Sequence, residues 1–221
     1  MEDLLSKIDI MKNNLQIKDI KSINKNKFKT IPTKDINKDN ELIVKEYNYY
    51  VKLTKKIKRY LKNDENIVFE INRDRFNRII CLMTNLKKSE LDVFFYIDIR
   101  LITGNTKDTF MRCTYYNKDM AILHINEFSS GKPNNGYGSI ILKKLDYIVE
   151  EINIRLDAYN HYYEDYKFNY IYKIEGLAIP TKSIINQENL NKIYRKYGFL
   201  VNETDNMKIE KYIRINHLIY N

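Results

Sequence analysis

The stretch SSGKPNNGYGSIILKKL, residues 129–145, decides how this chain is read. It holds Gly131, Gly136 and Gly138, three of only six glycines in 221 residues. Glycine loses more conformational freedom on folding than any other residue. Concentrating it there predicts a backbone that turns tightly or lets something approach closely. Upstream, MAILHINEF (120–128) reads as a strand. Downstream, Ile141, Leu145, Ile148, Ile152 and Leu156 fall on one stripe of an amphipathic helix. In a strand–loop–helix unit of this kind, the loop amides and the helix N-terminus form a natural anion site. Neither a Walker loop nor a dinucleotide fingerprint is present, since the third glycine position of G-x-G-x-x-G is Ile141. A turn before a helix needs no ligand, so the fragment alone leaves both readings open.

Working outward, residues 1–40 read as a short helix followed by a polar stretch. Residues 41–62 carry Ile43, Tyr47, Tyr50, Ile57 and Leu61 at helical spacing, with Asp39 or Asn40 as the expected cap. ENIVFEI (65–71) reads as a strand. Phe76, Ile79, Ile80, Met83 and Leu86 match helical spacing, and a helix is expected there. Strands are expected at 91–102 and 109–116, joined by short turns. YIYKIEGLAI (170–179) is a strand that Pro180 helps to end. NQENLNKIYRKYGF (186–199) is a short helix with Gly198 placed to cap it. FLVNE and MKIEKYIRI close the chain as two strands. The fold class is α+β, a mixed sheet flanked by helices.

Composition sets limits. Hydrophobic residues are 43% and aromatics 13%, enough for a packed core. The net charge of +9 is unevenly placed. Residues 1–63 carry 16 Lys and Arg against 8 Asp and Glu, a net of +8; the remainder has 22 against 21. The division expected is a basic helical N-terminal extension, 1–63, and a second domain, 64–221. The extension is either a solvated face or a surface for nucleic acid or another polyanion. Cys81 and Cys113 suggest neither a disulfide framework nor a zinc site, and no metal is expected. With no signal-like N-terminus and no membrane-length apolar run, a cytoplasmic protein is expected.

NNGYGSIILKKL resembles motif A of the GNAT superfamily of acetyl-CoA-dependent N-acetyltransferases, and NLNKIYRKYGFL resembles its motif B. A strand, IYKIEGLAI, separates the two, as the family requires. The resemblance covers roughly residues 65–215. Two positions depart from it: Pro133 stands where motif A has Arg or Gln, and Gln187 where motif B has its asparagine.

The resemblance implies a splayed sheet and a GNAT-like acetyltransferase domain that takes acetyl-CoA as donor. The amides of Asn134, Asn135, Gly136, Tyr137, Gly138 and Ser139 would take the pyrophosphate, with Lys132 adding a cation and Gln187 a polar contact. Backbone groups at Leu123, His124 and Ile125 would pair with the pantetheine arm as an added strand does. Tyr194 occupies the position of the family's usual general acid. Asp119, six residues before Ile125, is a candidate base or simply a turn residue. Its rival is His124, on the opposite face of the strand, with Glu127 and Glu175 as further candidates. A water relay would need no single base.

Three functions remain open on these residues: an N-acetyltransferase acting on a primary amine, a regulator that binds acyl-CoA without turnover, and a basic nucleic-acid-binding protein. The acceptor carries no recognisable code, and it would be a small molecule or a protein amine. The large apolar stripe of 41–62 must be buried, against the rest of the chain, in a homodimer or on an acidic partner. The first is expected, with Lys55, Lys56, Lys58 and Arg59 facing solvent.

Overall fold

The computed structural model describes residues 2–19, 28–32, 38–63, 66–88, 94–105, 107–117, 121–131, 135–162, 167–180 and 184–214. The described elements run α1 (Glu2–Gln16), α2 (Lys38–Asn63), β1 (Ile67–Arg73), β2 (Ile79–Lys88), β3 (Phe94–Ile102), β4 (Thr109–Asn117), β5 (Ala121–Ser129), α3 (Tyr137–Tyr162), β6 (Lys173–Leu177), α4 (Gln187–Lys196), β7 (Leu200–Val201) and β8 (Lys208–Tyr212). The strands form one mixed eight-stranded sheet in the order β1-β2-β3-β4-β5-β6-β8-β7. No helix among the described residues is long and apolar enough to cross a membrane. The chain divides into two units, Met1–Met83 with Arg100–Thr109, and Thr84–Ile99 with Phe110–Asn221. The helices α1 and α2, expected within an extension, fall in the first unit together with β1, part of β2 and the β3–β4 turn.

In the first unit the stripe of α2 is buried. Tyr47, Tyr50, Leu53 and Ile57 form a core with Ile8, Met11 and Leu15 of α1 and with Ile79, Cys81 and Met83 of β2. Two adjacent tyrosines also hold the start of β2. The Tyr49 hydroxyl donates to the Ile79 carbonyl at 3.0 Å, and the Ile79 N–H donates to the Tyr50 hydroxyl at 3.5 Å. Gly104 lies so close to Tyr49 that a Cβ there would overlap its carbonyl oxygen and ring.

Three expectations are corrected here. The stretch 76–86 is not a helix: β2 occupies 79–88, and Phe76 lies exposed in the preceding turn. Ile79 to Met83 are all buried, so both faces of this strand are covered. A run apolar on both faces has no two-residue alternation, and its residues satisfied helical spacing by chance. Asp39 and Asn40 do not cap α2, because the helix starts at Lys38 and takes both into its first turn. Lys55 and Arg59 are exposed and Lys58 is half-buried, but Lys56 is turned inward, donating to Asp108 and to the Asn105 carbonyl at 2.6 Å each.

In the second unit β5 and β6 run parallel, and α3 makes the crossover between them. The stripe Ile141, Leu145, Ile148, Ile152 and Leu156 is buried as its spacing requires. Two asparagines of α3 act as strand partners for the chain leading into β6. Asn153 accepts from the Ile171 N–H and donates to the Ile171 carbonyl, and Asn160 does the same for Phe168. In the first unit, Asn48 of α2 pairs with Ile31 in the same way. Lys211 of β8, buried, meets Asp146 of α3 at 2.6 Å. This contact puts α3 on the sheet face of Lys211 and Ile209. The alternate residues, Lys208, Glu210 and Tyr212, lie on the other face.

Candidate functional site

The parallel ladder between β5 and β6 has four pairs: Ile122↔Lys173, Leu123↔Ile174, His124↔Glu175 and Ile125↔Gly176. It stops there, while β5 continues to Ser129. Gly176 closes it at short range, since a Cβ at that position would lie 3.0 Å from the Ile125 Cβ. On the other side of β5, the register with β4 slips between Arg112 and Cys113, which pair with Glu127 and Ile125. Asn126 is thus a bulge residue at the point where the parallel partner ends. Its amide donates to the Thr114 hydroxyl at 2.8 Å. Bulges re-aim side chains and end pairing beside sites. The backbone expected to be open at Leu123, His124 and Ile125 is laddered on both edges; among the described residues the edge toward β6 has no ladder from Asn126 onward. Leu123 and Ile125 are buried on the α3 face, and His124 points the other way.

Beyond the open edge lies the glycine loop. Gly131 and Gly136 both have left-handed backbones, with φ of 66° and 75°. Among the described residues, its two chain neighbours aside, nothing lies within 4 Å of where a Cβ at Gly136 would stand. The first helical bond of α3 runs from the Ile140 N–H to the Gly136 carbonyl, so the amides of Gly138 and Ser139 precede any intrahelical acceptor. Gly138 lets the helix start against β5, because a Cβ there would press on the Phe128 ring at 3.3 Å and on Ser130 at 3.4 Å. Asn135 borders the loop half-buried, and Tyr137 is buried at the helix start. Lys132, Asn134 and Asp119 lie outside the described residues.

Tyr194 is set by the end of α4. The Phe199 N–H donates to the Tyr194 carbonyl and the Gly198 N–H to the Arg195 carbonyl, with Gly198 at φ 83°. This is the double bond of a Schellman motif. The rings of Tyr194 and Phe199 meet edge-on at 5.3 Å, supplying the apolar contact that accompanies it. Tyr194 is 5% exposed, and burial pushes its phenol up to about 12. It stays protonated at neutral pH, the form in which a phenol can donate a proton. Gln187 uses its amide within the fold, donating to the Ala178 carbonyl, the Asn191 side chain and the Asn206 carbonyl. It ties α4 to the end of β6 and to the β7–β8 turn.

On the sheet face opposite α3 lies a cavity of about 530 Å³, lined by residues of β5 to β8 and the β7–β8 turn that include His124, Lys173, Glu175, Gly176, Glu203 and Glu210. Register puts Thr114, His124, Glu175 and Glu210 in one row across four strands. His124 Nδ1 lies 3.5 Å from Glu175, and the Lys173 ammonium 3.3 Å from Glu175 and 2.9 Å from Glu210. Hydrogen bonds to Glu210 and then Glu175 raise the Lys173 pKa above its ordinary value, against the desolvation that lowers it. Lys173 and Glu210 escaped the sequence reading. Their signal was the tripeptide Lys-Ile-Glu, present at 173–175 and again at 208–210, which puts a charged residue on one face of two neighbouring strands. Among the described residues no group of three His, Cys, Asp or Glu is arranged to hold a metal. No protein-family model matches the chain, and no curated protein matches its sequence.

Proposed function

We propose that this chain is an N-acetyltransferase of GNAT-like fold that transfers an acetyl group from acetyl-CoA to a primary amine. One observation carries the reading. A parallel strand pair ends after four residue pairs, and the strand that loses its partner runs directly into a glycine loop at a helix N-terminus. The open edge beyond Ile125 suits an amide-bearing arm that adds to β5 as a strand would. The left-handed, side-chain-free backbone at Gly136 and the amides of Gly138 and Ser139 suit the diphosphate.

The chemistry asked of the chain is modest. The amine nitrogen attacks the thioester carbon, the carbon–sulfur bond breaks, and the amine proton must leave. Held protonated by burial, the Tyr194 phenol is suited to supply a proton to the departing sulfur. The Schellman lock and the Phe199 ring hold that phenol without spending a catalytic group on positioning.

Calorimetric titration of the full chain with acetyl-CoA, followed by a coenzyme-release assay over a panel of amines, tests the proposal. Binding with release on one or more amines is expected. Gly136→Asp puts a carboxylate at the diphosphate and weakens binding by more than about tenfold, or about 1.4 kcal/mol. Gly136→Ala, which carries the strained φ without the charge, separates backbone strain from repulsion. Binding without release on any amine would favour a non-catalytic acyl-CoA sensor, and absence of binding would end the reading.

A further inference from the structure

We propose that the cavity on the open face of β5, β6 and β8 is the acceptor site, that its ligand is a small amine with a second positive charge, and that His124 takes up the proton of the reacting amine. The proposal rests on the acetyltransferase reading. The cavity reaches the end of the parallel ladder, since Gly176, the last β6 residue of that ladder, is part of its wall. Its volume lies within the usual range for small-molecule sites, roughly 300–1,000 Å³.

The charges in the wall are arranged against the interest of the sheet. Glu175 and Glu210 stand directly opposite one another on neighbouring antiparallel strands. Like charges in that relation destabilise a sheet. Lys173 bridges both, so one cation serves two carboxylates. Of the wall residues, Glu175, Glu203 and Glu210 are opposed by Lys173 and Lys208, and Lys208 also meets Asp205, outside the wall, at 3.7 Å. In a chain of net charge +9, the cavity is therefore left one negative charge in excess. An amine must be neutral to attack an acyl carbon, so the charge this site would hold is not that of the reacting nitrogen. It is a second ammonium on the same molecule, which points to a diamine or polyamine.

His124 stands beside these carboxylates in the same row. Glu175 lies at its Nδ1, which leaves Nε2 as the ring nitrogen available to a ligand. The charged groups that share the cavity wall with it are Glu175 and Lys173 on β6, Glu203 in the β7–β8 turn, and Lys208 and Glu210 on β8. On the β4 side stand Thr114 and, past the bulge, the ion pair of Arg112 and Glu127. As the amine nitrogen bonds to the carbonyl carbon, its proton passes to Nε2 and then to solvent. The carbon–sulfur bond breaks, the thiolate takes the Tyr194 proton, and the phenol regains one from solvent.

The test uses the full chain with spermidine as the probe and butylamine as the singly charged control, each with acetyl-CoA. Spermidine is expected to be acetylated with a KM at least about tenfold below that of butylamine. Glu210→Gln keeps the side-chain shape and should raise the KM for spermidine at least about tenfold while sparing that for butylamine. His124→Gln should lower kcat about a hundredfold or more and remove the acid limb of the pH profile of kcat/KM, with acetyl-CoA affinity unchanged. Equal KM values for the two amines, or a Glu210→Gln chain that treats spermidine as wild type does, would overturn the acceptor class. An acid limb that survives His124→Gln would overturn the role of His124. Calorimetry separates the two readings. A chain that binds acetyl-CoA but not spermidine defeats this inference alone. A chain that binds spermidine in a Glu210-dependent manner but not acetyl-CoA keeps the cavity and defeats the transferase.

Discussion

Tyr194 joins three roles in one residue. Its carbonyl closes the end of α4, its ring packs on Phe199, and its hydroxyl is the proposed acid. Replacing it with Phe keeps the first two and removes the third. Turnover should fall about 10²–10⁴-fold with acetyl-CoA affinity retained; turnover within a factor of about two of wild type, with chemistry rate-limiting, would remove Tyr194 from the mechanism. Burial also makes this residue sensitive to alkali. The Tyr194 phenol and the Cys81 thiol are both pushed up to about 12, and both are neutral when protonated. The unfolded chain gives up these protons first, near pH about 8.5 for a thiol and about 10 for a phenol. The stability they contribute is complete below those values and is lost as pH rises toward 12. The melting temperature should therefore drop between pH 8 and pH 11, and a flat profile over that window would contradict the assignment.

At the scale of elements, the parts legible in the sequence were those with one covered face. The stripe of α3, the stripe of α2 and the Gly198 cap follow from spacing alone, because each has a polar side to contrast with its apolar one. β2 was not legible, because five consecutive buried residues carry no contrast. Of the site, the glycine loop was visible because glycine is rare in this chain. The ladder's end and the Asn126 bulge were not, because both depend on which strands become neighbours. The same holds for the row from Thr114 to Glu210, which exists only once four strands are in register. The asparagine clasps give this level its own test. Asn153→Ala leaves the N–H and carbonyl of Ile171 without their partner in a buried setting, a loss of about 1–3 kcal/mol. Denaturant unfolding should read that change. A variant as stable as wild type would show that water or a neighbouring group replaces the clasp.

For the molecule as a whole, the question is what the first 63 residues do. Their charge is suggestive, but their apolar side chains are decisive. Tyr50, Leu53 and Ile57 are at most 1% exposed, in a core shared with β2. Burying a large apolar side chain is worth about 1.5–3 kcal/mol, so deleting residues 1–63 removes many such terms at once and uncovers Ile79, Cys81 and Met83. The truncated chain is expected to aggregate or to melt well below the full one by light scattering and calorimetry. A soluble, equally stable and active truncation would make the segment an independent arm and raise the case for polyanion recruitment. The clasps of Asn48, Asn153 and Asn160 have a consequence of a different kind. The amides of Ile31, Phe168 and Ile171 are shielded by side chains of α2 and α3 rather than by a neighbouring strand. Their protons exchange with solvent when those helices open, so isolated stretches outside any ladder would keep time with the helices and report their opening.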